Sequence, residues 1–259
     1  MGIYDRDYYR DSPRRGGFGV FSMASVTTRL IVINVAVFFI DRMSIRYVVD
    51  DNTGYVVGIS RPIQFWGAFS KFTAVDHFQV WRFFTFQFLH ANLLHIFSNM
   101  LSLYLFGPIV ENYFGRRRFL AFYLLCGCSG AFVYLLLLLA GILHGDQVWL
   151  VGASAGIFGV LVAGAMLAPD VTIMLLFPPI PMQLKYLAMI LVGWAAYTAF
   201  TNGSNAGGQA AHLGGAVVGY ALVRYPRVLN VFESVRGRSG RHPRARGRAT
   251  TDWSKNFDR

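Results

Sequence analysis

Long apolar stretches alternate with short polar segments along most of the chain. Six of these stretches approach the roughly 20 residues that a helix needs to cross the hydrocarbon core of a bilayer. We therefore predict an all-α membrane protein built on a bundle of six transmembrane helices. The predicted spans are residues 22–40, 86–110, 119–143, 151–168, 184–200 and 209–223.

The segments outside these spans have two different characters. Residues 41–85 mix polar positions with many aromatic side chains, a pattern too apolar for a flexible linker and too interrupted for a span. We predict that this first loop lies in the membrane interface. Residues 1–21 and 226–259 are polar and basic, and we predict both to be disordered. The membrane domain is then expected to comprise residues 22–225.

Composition supports a membrane protein over a soluble one. The chain is 54% hydrophobic and only 14% charged, whereas a soluble domain of this length carries more charge. The net charge is +11, and residues 226–259 hold nine Lys or Arg against three acidic residues. Because this tail directly follows a membrane domain and surrounds no aromatic stacking surface, we expect anionic lipid headgroups as its partner and no nucleic acid.

The arginine distribution predicts the orientation of the bundle. Arginine pairs or clusters precede the first span, separate the second from the third, and follow the sixth. In a six-span topology all three positions lie on one side, which the positive-inside rule assigns to the cytoplasm. Both termini are then cytoplasmic, and spans two, four and six begin at the outer face. The expected location is the plasma membrane, specifically a bacterial inner membrane.

Five polar side chains within three of the predicted spans are candidate site residues, because polar groups inside a membrane are costly. His90, His95 and Asn99 lie in the second span, Ser154 in the fourth and His212 in the sixth. All of them come from the early turns of spans that begin outside. They are therefore expected at similar depth in the outer leaflet.

Glycines provide a way for these groups to meet. Gly215 and Gly219 follow His212 at helical spacing, and Gly152, Gly156 and Gly159 surround Ser154. Stripes of small residues let helix backbones approach closely. Close packing of the fourth and sixth spans would bring His212 to Ser154.

These residues also have simpler interpretations. A serine among Gly and Ala can be a packing residue, and an intramembrane histidine can be a structural hydrogen-bonding group or a metal or haem ligand. Ligation is disfavoured because no Cys, Met or carboxylate stands at the same depth, and Glu111 lies at the opposite end of its span. Cys126 and Cys128, at i and i+2, point to different sides of one helix, so neither a disulfide nor a metal pair is expected.

Taken together, the motifs resemble those of the rhomboid family of intramembrane serine proteases over residues 27–225. They occur in the family's order and spacing. The matching elements are Trp81-Arg82, the H-x-x-x-N motif His95–Asn99 with the preceding His90, Glu111 with Gly115, Gly152-Ala153-Ser154, and Ala211-His212-Leu213-Gly214-Gly215 followed by Gly219.

This resemblance implies a serine endopeptidase that cleaves single-span membrane proteins near the outer face, without a metal or cofactor. Ser154 would be the nucleophile and His212 the general base, with no carboxylate to orient the imidazole. Asn99, His95 and the Ser154 backbone N–H would stabilise the oxyanion. His90, Gly152, Gly215, Trp81, Arg82 and Glu111 would support the site.

The resemblance also implies how water and substrate reach the site. A water-accessible cavity lined by His90, His95, Ser98 and Asn99 is expected at the outer face. Residues 201–208 would form a lid over it, and Trp194 would be a gate. Trp194 as an ordinary core residue is an equally good interpretation.

Two positions depart from the family pattern. Ala155 stands where the family often has glycine, and two outcomes are open: its β-carbon crowds the oxyanion pocket, or the neighbouring Gly156 compensates. Phe158 stands where many members have a tyrosine that stacks on the histidine. The main alternative function is an inactive rhomboid-like protein that binds membrane clients, but it is disfavoured because both Ser154 and His212 are present. A transporter is disfavoured because no inverted repeat with paired broken helices is visible.

Overall fold

A computed structural model describes residues 25–50, 53, 55–144, 149–175 and 179–232, and helices dominate them. The predicted ends, residues 1–21 and the part of the tail after residue 232, lie outside the described residues. The helices are α1 (Val26–Met43), α2 (Pro62–Gly67), α3 (Arg82–Thr85), α4 (Leu93–Phe114), α5 (Arg116–Leu139), α6 (Ser154–Leu167), α7 (Leu184–Phe200) and α8 (Ala206–Arg224).

Two short antiparallel hairpins accompany the helices. Strand β1 (Arg46–Val49) pairs with β2 (Val56–Ser60), and β3 (Thr172–Met174) pairs with β4 (Pro181–Gln183). A π-helical turn and two 3₁₀ segments complete the described secondary structure, at Phe72–Asp76, Phe86–Phe88 and Pro226–Phe232.

The prediction of a mostly helical protein is confirmed, with one long helix in each of the six predicted stretches. Within the described ranges, α4 and α5 are long and apolar enough to cross a membrane, by length and composition. Helices α6 and α7 are apolar but shorter, at 14 and 17 residues. Six spans and an interfacial first loop stay predictions.

The second predicted span begins too early. Residues 86–88 form a 3₁₀ turn, and α4 begins only at Leu93 because the Asn92 side chain accepts a hydrogen bond of 2.8 Å from the His95 backbone N–H. Such a cap satisfies a donor that has no partner within the helix. His90 therefore lies ahead of the helix that carries His95 and Asn99.

Backbone hydrogen bonds connect residues 69–86, at the end of the first loop, to the segment that precedes α6. Phe69 and Leu150 exchange two backbone hydrogen bonds of 3.0 and 2.7 Å, and Gly152 N–H donates to the Phe86 carbonyl at 2.9 Å. Arg82 is 1% exposed and donates to the carbonyls of Phe65 and Ala68 at 2.7 and 2.6 Å. Trp81 and Arg82 thus brace the loop, and the loop in turn fixes the backbone just before Ser154.

Close contact between α6 and α8 forms the centre of the bundle. A β-carbon at Gly215 would collide with the Ala155 carbonyl oxygen, and one at Gly219 would lie 2.6 Å from the Gly159 Cα. The glycine stripes predicted to allow close packing therefore do so. Without side chains at these positions, the two backbones can approach closely enough for side chains near their N-terminal ends to meet.

The C-terminal end of α4 is joined to the start of α1 by one side chain. Glu111 is 8% exposed and accepts hydrogen bonds from the backbone N–H groups of Val26 and Thr27 at 2.8 and 2.9 Å. It also accepts from the hydroxyls of Ser25 and Thr27 at 2.8 and 2.7 Å. A carboxylate at a helix N-terminus satisfies free N–H groups and complements the helix dipole. Glu111 is a cap for α1.

The ordered domain extends beyond the predicted boundary at residue 225. Pro226–Phe232 forms a 3₁₀ segment whose Leu229 is fully buried in the main hydrophobic cluster. Arg118 of α5 donates to the Asn230 side chain at 3.3 Å. The prediction of disorder from residue 226 is therefore wrong for these seven residues, because Leu229 anchors the segment in the core.

Candidate active site

Ser154 and His212 meet where the N-terminal halves of α6 and α8 come together. Ser154 is the first residue of α6, and its Oγ lies 2.8 Å from His212 Nε2, within hydrogen-bonding distance. Both side chains are half-buried. A hydroxyl in direct contact with an imidazole is the arrangement that a serine nucleophile and its base require.

Two further side chains fix the imidazole ring. Phe158, one turn after Ser154, stacks on it with ring centroids 4.1 Å apart and planes 12° apart. On the other side, His212 Nδ1 lies 3.0 Å from the Gln209 Oε1. Gln209 is not among the residues predicted from the sequence, where an orienting group is recognisable only as a carboxylate, although a residue at i−3 shares a helix face with the histidine.

His95 reaches the site past a glycine. Gly152 has φ of 128°, and a β-carbon there would lie 2.7 Å from His95 Nε2. This backbone conformation favours glycine, and any side chain would displace the histidine. Gly152 therefore makes room for His95 beside Ser154.

Asn99 supplies a free donor near the same point. Its side chain is 6% exposed, and its Nδ2 has no hydrogen-bond partner among the described residues. A buried amide N–H without a partner costs free energy, so such a group is retained where something else binds it.

A cavity of about 630 Å³ joins these groups. Helices α4, α6, α7 and α8 line it, together with the segment before α6. The polar lining side chains are His95, Ser98, Asn99, Ser102, Ser154, Asn205, Gln209 and His212, and the apolar ones include Trp149, Ile157, Phe158, Leu191 and Trp194.

The sequence model of the Rhomboid domain matches residues 77–226, more than half of the chain, and this range contains every residue of the cavity. This chain belongs to the rhomboid family. The resemblance seen in the motifs is thereby confirmed. Rhomboids are membrane-embedded and are generally intramembrane serine proteases, although some members are inactive.

Curated relatives of this rhomboid include proteins from a plant and from a parasite. It is 39% identical to RHOMBOID-like protein 1 of Arabidopsis thaliana over 106 residues, which cover 41% of this chain and 25% of that protein. It is 30% identical to the mitochondrial RHOMBOID-like protein 12 of the same plant over 170 residues, 60% of this chain and 49% of that one. It is also 30% identical to Rhomboid-like protease 3 of Toxoplasma gondii over 155 residues, 59% and 54% of the two chains. The rhomboid thus spans about half or less of the length of these relatives.

The expected place of His90 in this rhomboid's cavity lining is wrong, and the structure answers the open question of where the Ala155 β-carbon points. His90 is 2% exposed and lies behind His95, with ring centroids 5.2 Å apart, so it does not belong to the described lining. Ala155 is 1% exposed, and its β-carbon points at Gly130 of α5. Its side chain therefore packs between helices and does not crowd the oxyanion pocket, because the helical turn after Ser154 carries it away.

The remaining predicted supporting residues lie away from the cavity. Glu111 is at the opposite end of α4, and Trp81 donates from its indole N–H to the Trp66 carbonyl at 3.2 Å. Arg82 lies 5.9 Å from the ring of Trp149, which does line the cavity. Burial lowers the pKa of the Arg82 guanidinium, and the carbonyl acceptors replace its lost hydration. Glu111, Trp81 and Arg82 therefore stabilise the fold around the cavity and do not line it.

The lid and gate candidates do border the cavity. Asn205 and Gly208, at the end of the predicted lid, are lining residues, and Trp194 is 60% exposed at the rim. The start of the lid is tied down, since the Asn202 side chain accepts from His144 N–H at 2.9 Å and donates to the Ile142 carbonyl at 2.7 Å. Within the described ranges, no group of three or more His, Cys, Asp or Glu is arranged to hold a metal ion.

Proposed function

We propose that this rhomboid is an active intramembrane serine endopeptidase with Ser154 as nucleophile and His212 as general base. The observation that carries the proposal is the 2.8 Å contact between Ser154 Oγ and His212 Nε2 at the wall of a partly polar cavity. A packing serine has no need of an imidazole at hydrogen-bonding distance. The presence of both partners favours an active member over an inactive one.

The proposed reaction follows acyl transfer. Ser154 Oγ attacks the scissile carbonyl carbon while its proton moves to His212 Nε2, and the carbonyl electron pair moves to oxygen. The tetrahedral intermediate then breaks its C–N bond, and the leaving nitrogen takes the proton from His212. Water repeats the sequence on the acyl ester, releasing a carboxylic acid and restoring the Ser154 hydroxyl.

Three donors are suited to the oxyanion. The Asn99 Nδ2 is buried without a described partner, His95 Nε2 borders Gly152, and the Ser154 backbone N–H stands at the N-terminus of α6. No side chain within the described residues caps that terminus, because the N-cap residue is Ala153. Free N–H groups and the helix dipole therefore favour negative charge beside Ser154.

The cavity also bears on water supply. Hydrolysis consumes one water per bond, and the core of a bilayer has none to offer. Serine, asparagine and histidine side chains on the cavity wall can hydrogen-bond water and keep the site hydrated. This supports a site that opens to an aqueous phase and not to lipid alone.

The proposed topology and substrates come from the sequence. Six spans with both termini cytoplasmic would place the dyad near the outer face of the plasma membrane, in bacteria the inner membrane. Single-span proteins whose helix is locally weak are the proposed substrates, because an intact helix keeps its carbonyls hydrogen-bonded. Three relatives are described as mitochondrial, and fractionation of the host cell tests the location.

Cleavage of a model single-span substrate in reconstituted vesicles tests the function. We expect Ser154→Ala to abolish cleavage. Ser44→Ala is the matched control, because it removes a hydroxyl that donates to the Asp41 carbonyl at the end of α1, outside the cavity. Undiminished cleavage by Ser154→Ala would contradict the proposal. A wild type that retains the substrate without cutting it would indicate an inactive, client-binding rhomboid.

A further inference from the structure

The far side of the His212 ring has a specific partner. His212 Nδ1 lies 3.0 Å from Gln209 Oε1, while Nε2 faces Ser154. We propose that Gln209 is a positioning residue that selects the reactive tautomer of His212. This inference rests on the proposed function, because it concerns how the general base is prepared.

The tautomer decides whether the base can work. A neutral imidazole carries one N–H, and its other nitrogen carries the lone pair. His212 can take the proton of Ser154 only when Nε2 has the lone pair, which requires the hydrogen on Nδ1. An acceptor at Nδ1 stabilises that form. Gln209 Oε1 occupies the position of such an acceptor.

The other ring contact cannot make this selection. Phe158 stacks almost parallel on the ring and sets its plane, but a stacked face does not distinguish one nitrogen from the other. Within the described residues, the hydrogen bonds recorded for the ring go to Ser154 and Gln209. Selection of the tautomer therefore falls to Gln209.

The helix holds the pair in register. Gln209 precedes His212 by three residues on α8, and its backbone N–H donates to the Asn205 carbonyl at 3.0 Å. Neighbours at this spacing lie on one face of a helix. When His212 becomes an imidazolium, both nitrogens are donors, and Oε1 can keep the same hydrogen bond. The contact thus serves the free base and its protonated form without rearrangement.

An amide is an imperfect selector. If the side chain turned to present its Nε2, it would stabilise the opposite tautomer, in which the ring donates to Ser154 and cannot take its proton. A carboxylate lacks that second mode because it only accepts. Gln209→Glu should therefore enforce the reactive tautomer and convert the Ser–His pair into a Ser–His–Glu arrangement.

Two variants separate positioning from packing. Gln209→Met has nearly the same shape and no comparable acceptor, whereas Gln209→Glu keeps the acceptor and adds charge. If Gln209 positions the base, kcat falls about tenfold in Gln209→Met with KM within about twofold, and Gln209→Glu retains the wild-type kcat or exceeds it. If it only fills space, the order is reversed, because a partly buried charge is costly and methionine packs well.

The experiment measures kcat, KM and the thermal unfolding midpoint of the full chain in vesicles or detergent. We expect unchanged midpoints for Gln209→Met, with the loss confined to kcat. A wild-type kcat in Gln209→Met, or a Gln209→Glu variant less active than Gln209→Met, would overturn the inference about Gln209 and leave the proposed function intact. Absence of Ser154-dependent cleavage in the wild type would overturn the proposed function and this inference with it.

Discussion

The two ends of α4 hold polar groups in an apolar bundle in opposite ways. At the C-terminal end, both carboxylate oxygens of Glu111 accept hydrogen bonds from the start of α1, four in all. At the N-terminal end, the amide nitrogen of Asn99 is buried with no partner among the described residues, and it faces a cavity that Ser154 also lines.

This difference separates structure from function within one helix. A buried polar group with all its partners inside the protein contributes to the fold, and its removal costs stability. A buried donor without a partner beside a cavity costs stability until a ligand or water binds it. Under the proposed function, the N-terminal end of α4 keeps a hydrogen-bond donor available for the substrate, whereas the carboxylate at its C-terminal end is already fully bonded within the protein.

Loss of the proposed general base, His212, should have the largest effect on cleavage. His212→Ala should lower kcat at least about 10⁴-fold, because without a base Ser154 remains a neutral hydroxyl. Cleavage of a single-span substrate measures this. Combining it with Ser154→Ala should add nothing further, since the two groups act as a unit. A measurable additional loss in the double variant would indicate that they act separately.

Asn99→Ala tests the free donor directly. Removing one oxyanion donor typically costs about 10² to 10³ in kcat, and we expect a loss of that size with little change in the unfolding midpoint. Asn34→Ala is the control, since Asn34 is a fully buried amide that donates to the Leu30 carbonyl in α1. It should lower stability and leave kcat unchanged. A destabilised Asn99→Ala variant with normal kcat would show that Asn99 stabilises the fold and does not act on the substrate.

Glu111→Gln tests the end of α4 where the carboxylate is fully hydrogen-bonded within the protein. The amide cannot accept all four hydrogen bonds, so we expect the free energy of unfolding to fall by about 1–3 kcal/mol with kcat of the folded protein unchanged. Asp170→Asn makes the same change at an exposed carboxylate paired with Lys185 and should be neutral. A kcat loss in Glu111→Gln without loss of stability would erase the distinction between the two ends.

Ala155→Gly should have the smallest effect. Because the Ala155 side chain packs against Gly130, removing its β-carbon opens no oxyanion space and leaves kcat near the wild-type value. The unfolding free energy should fall by about 1 kcal/mol, the usual cost of glycine within a helix. Ala163→Gly, at a fully buried position later in α6, should cost about as much. A sharp rise in kcat for Ala155→Gly would restore the crowding hypothesis.

The features that could be predicted from the sequence are those that follow from the spacing of apolar residues and glycines along the chain. Apolar length located the long helices, including α7 at Leu184–Phe200, and the glycine stripes predicted the contact that joins Ser154 to His212. Spacing along the chain was sufficient for these features, because residues three or four apart lie on the same face of a helix.

The errors and the open question of Ala155 arose where a local hydrogen bond or a side-chain direction decides the result. The Asn92 cap ends the loop before α4 and leaves His90 outside that helix and outside the cavity. Ala155 follows Ser154 in sequence but points to α5. Gln209 was missed because a neutral amide takes the orienting position expected of a carboxylate. Hydropathy carries none of this information.

Covalent labelling tests the central claim most directly. A fluorophosphonate reacts with a serine only when a base activates its hydroxyl. The reconstituted wild type should carry a single adduct on the peptide containing Ser154, located by mass spectrometry, and Ser154→Ala should carry none. An unlabelled Ser154 in a protein that cleaves its substrate, or an adduct that persists in Ser154→Ala, would contradict the assignment of Ser154 as the nucleophile.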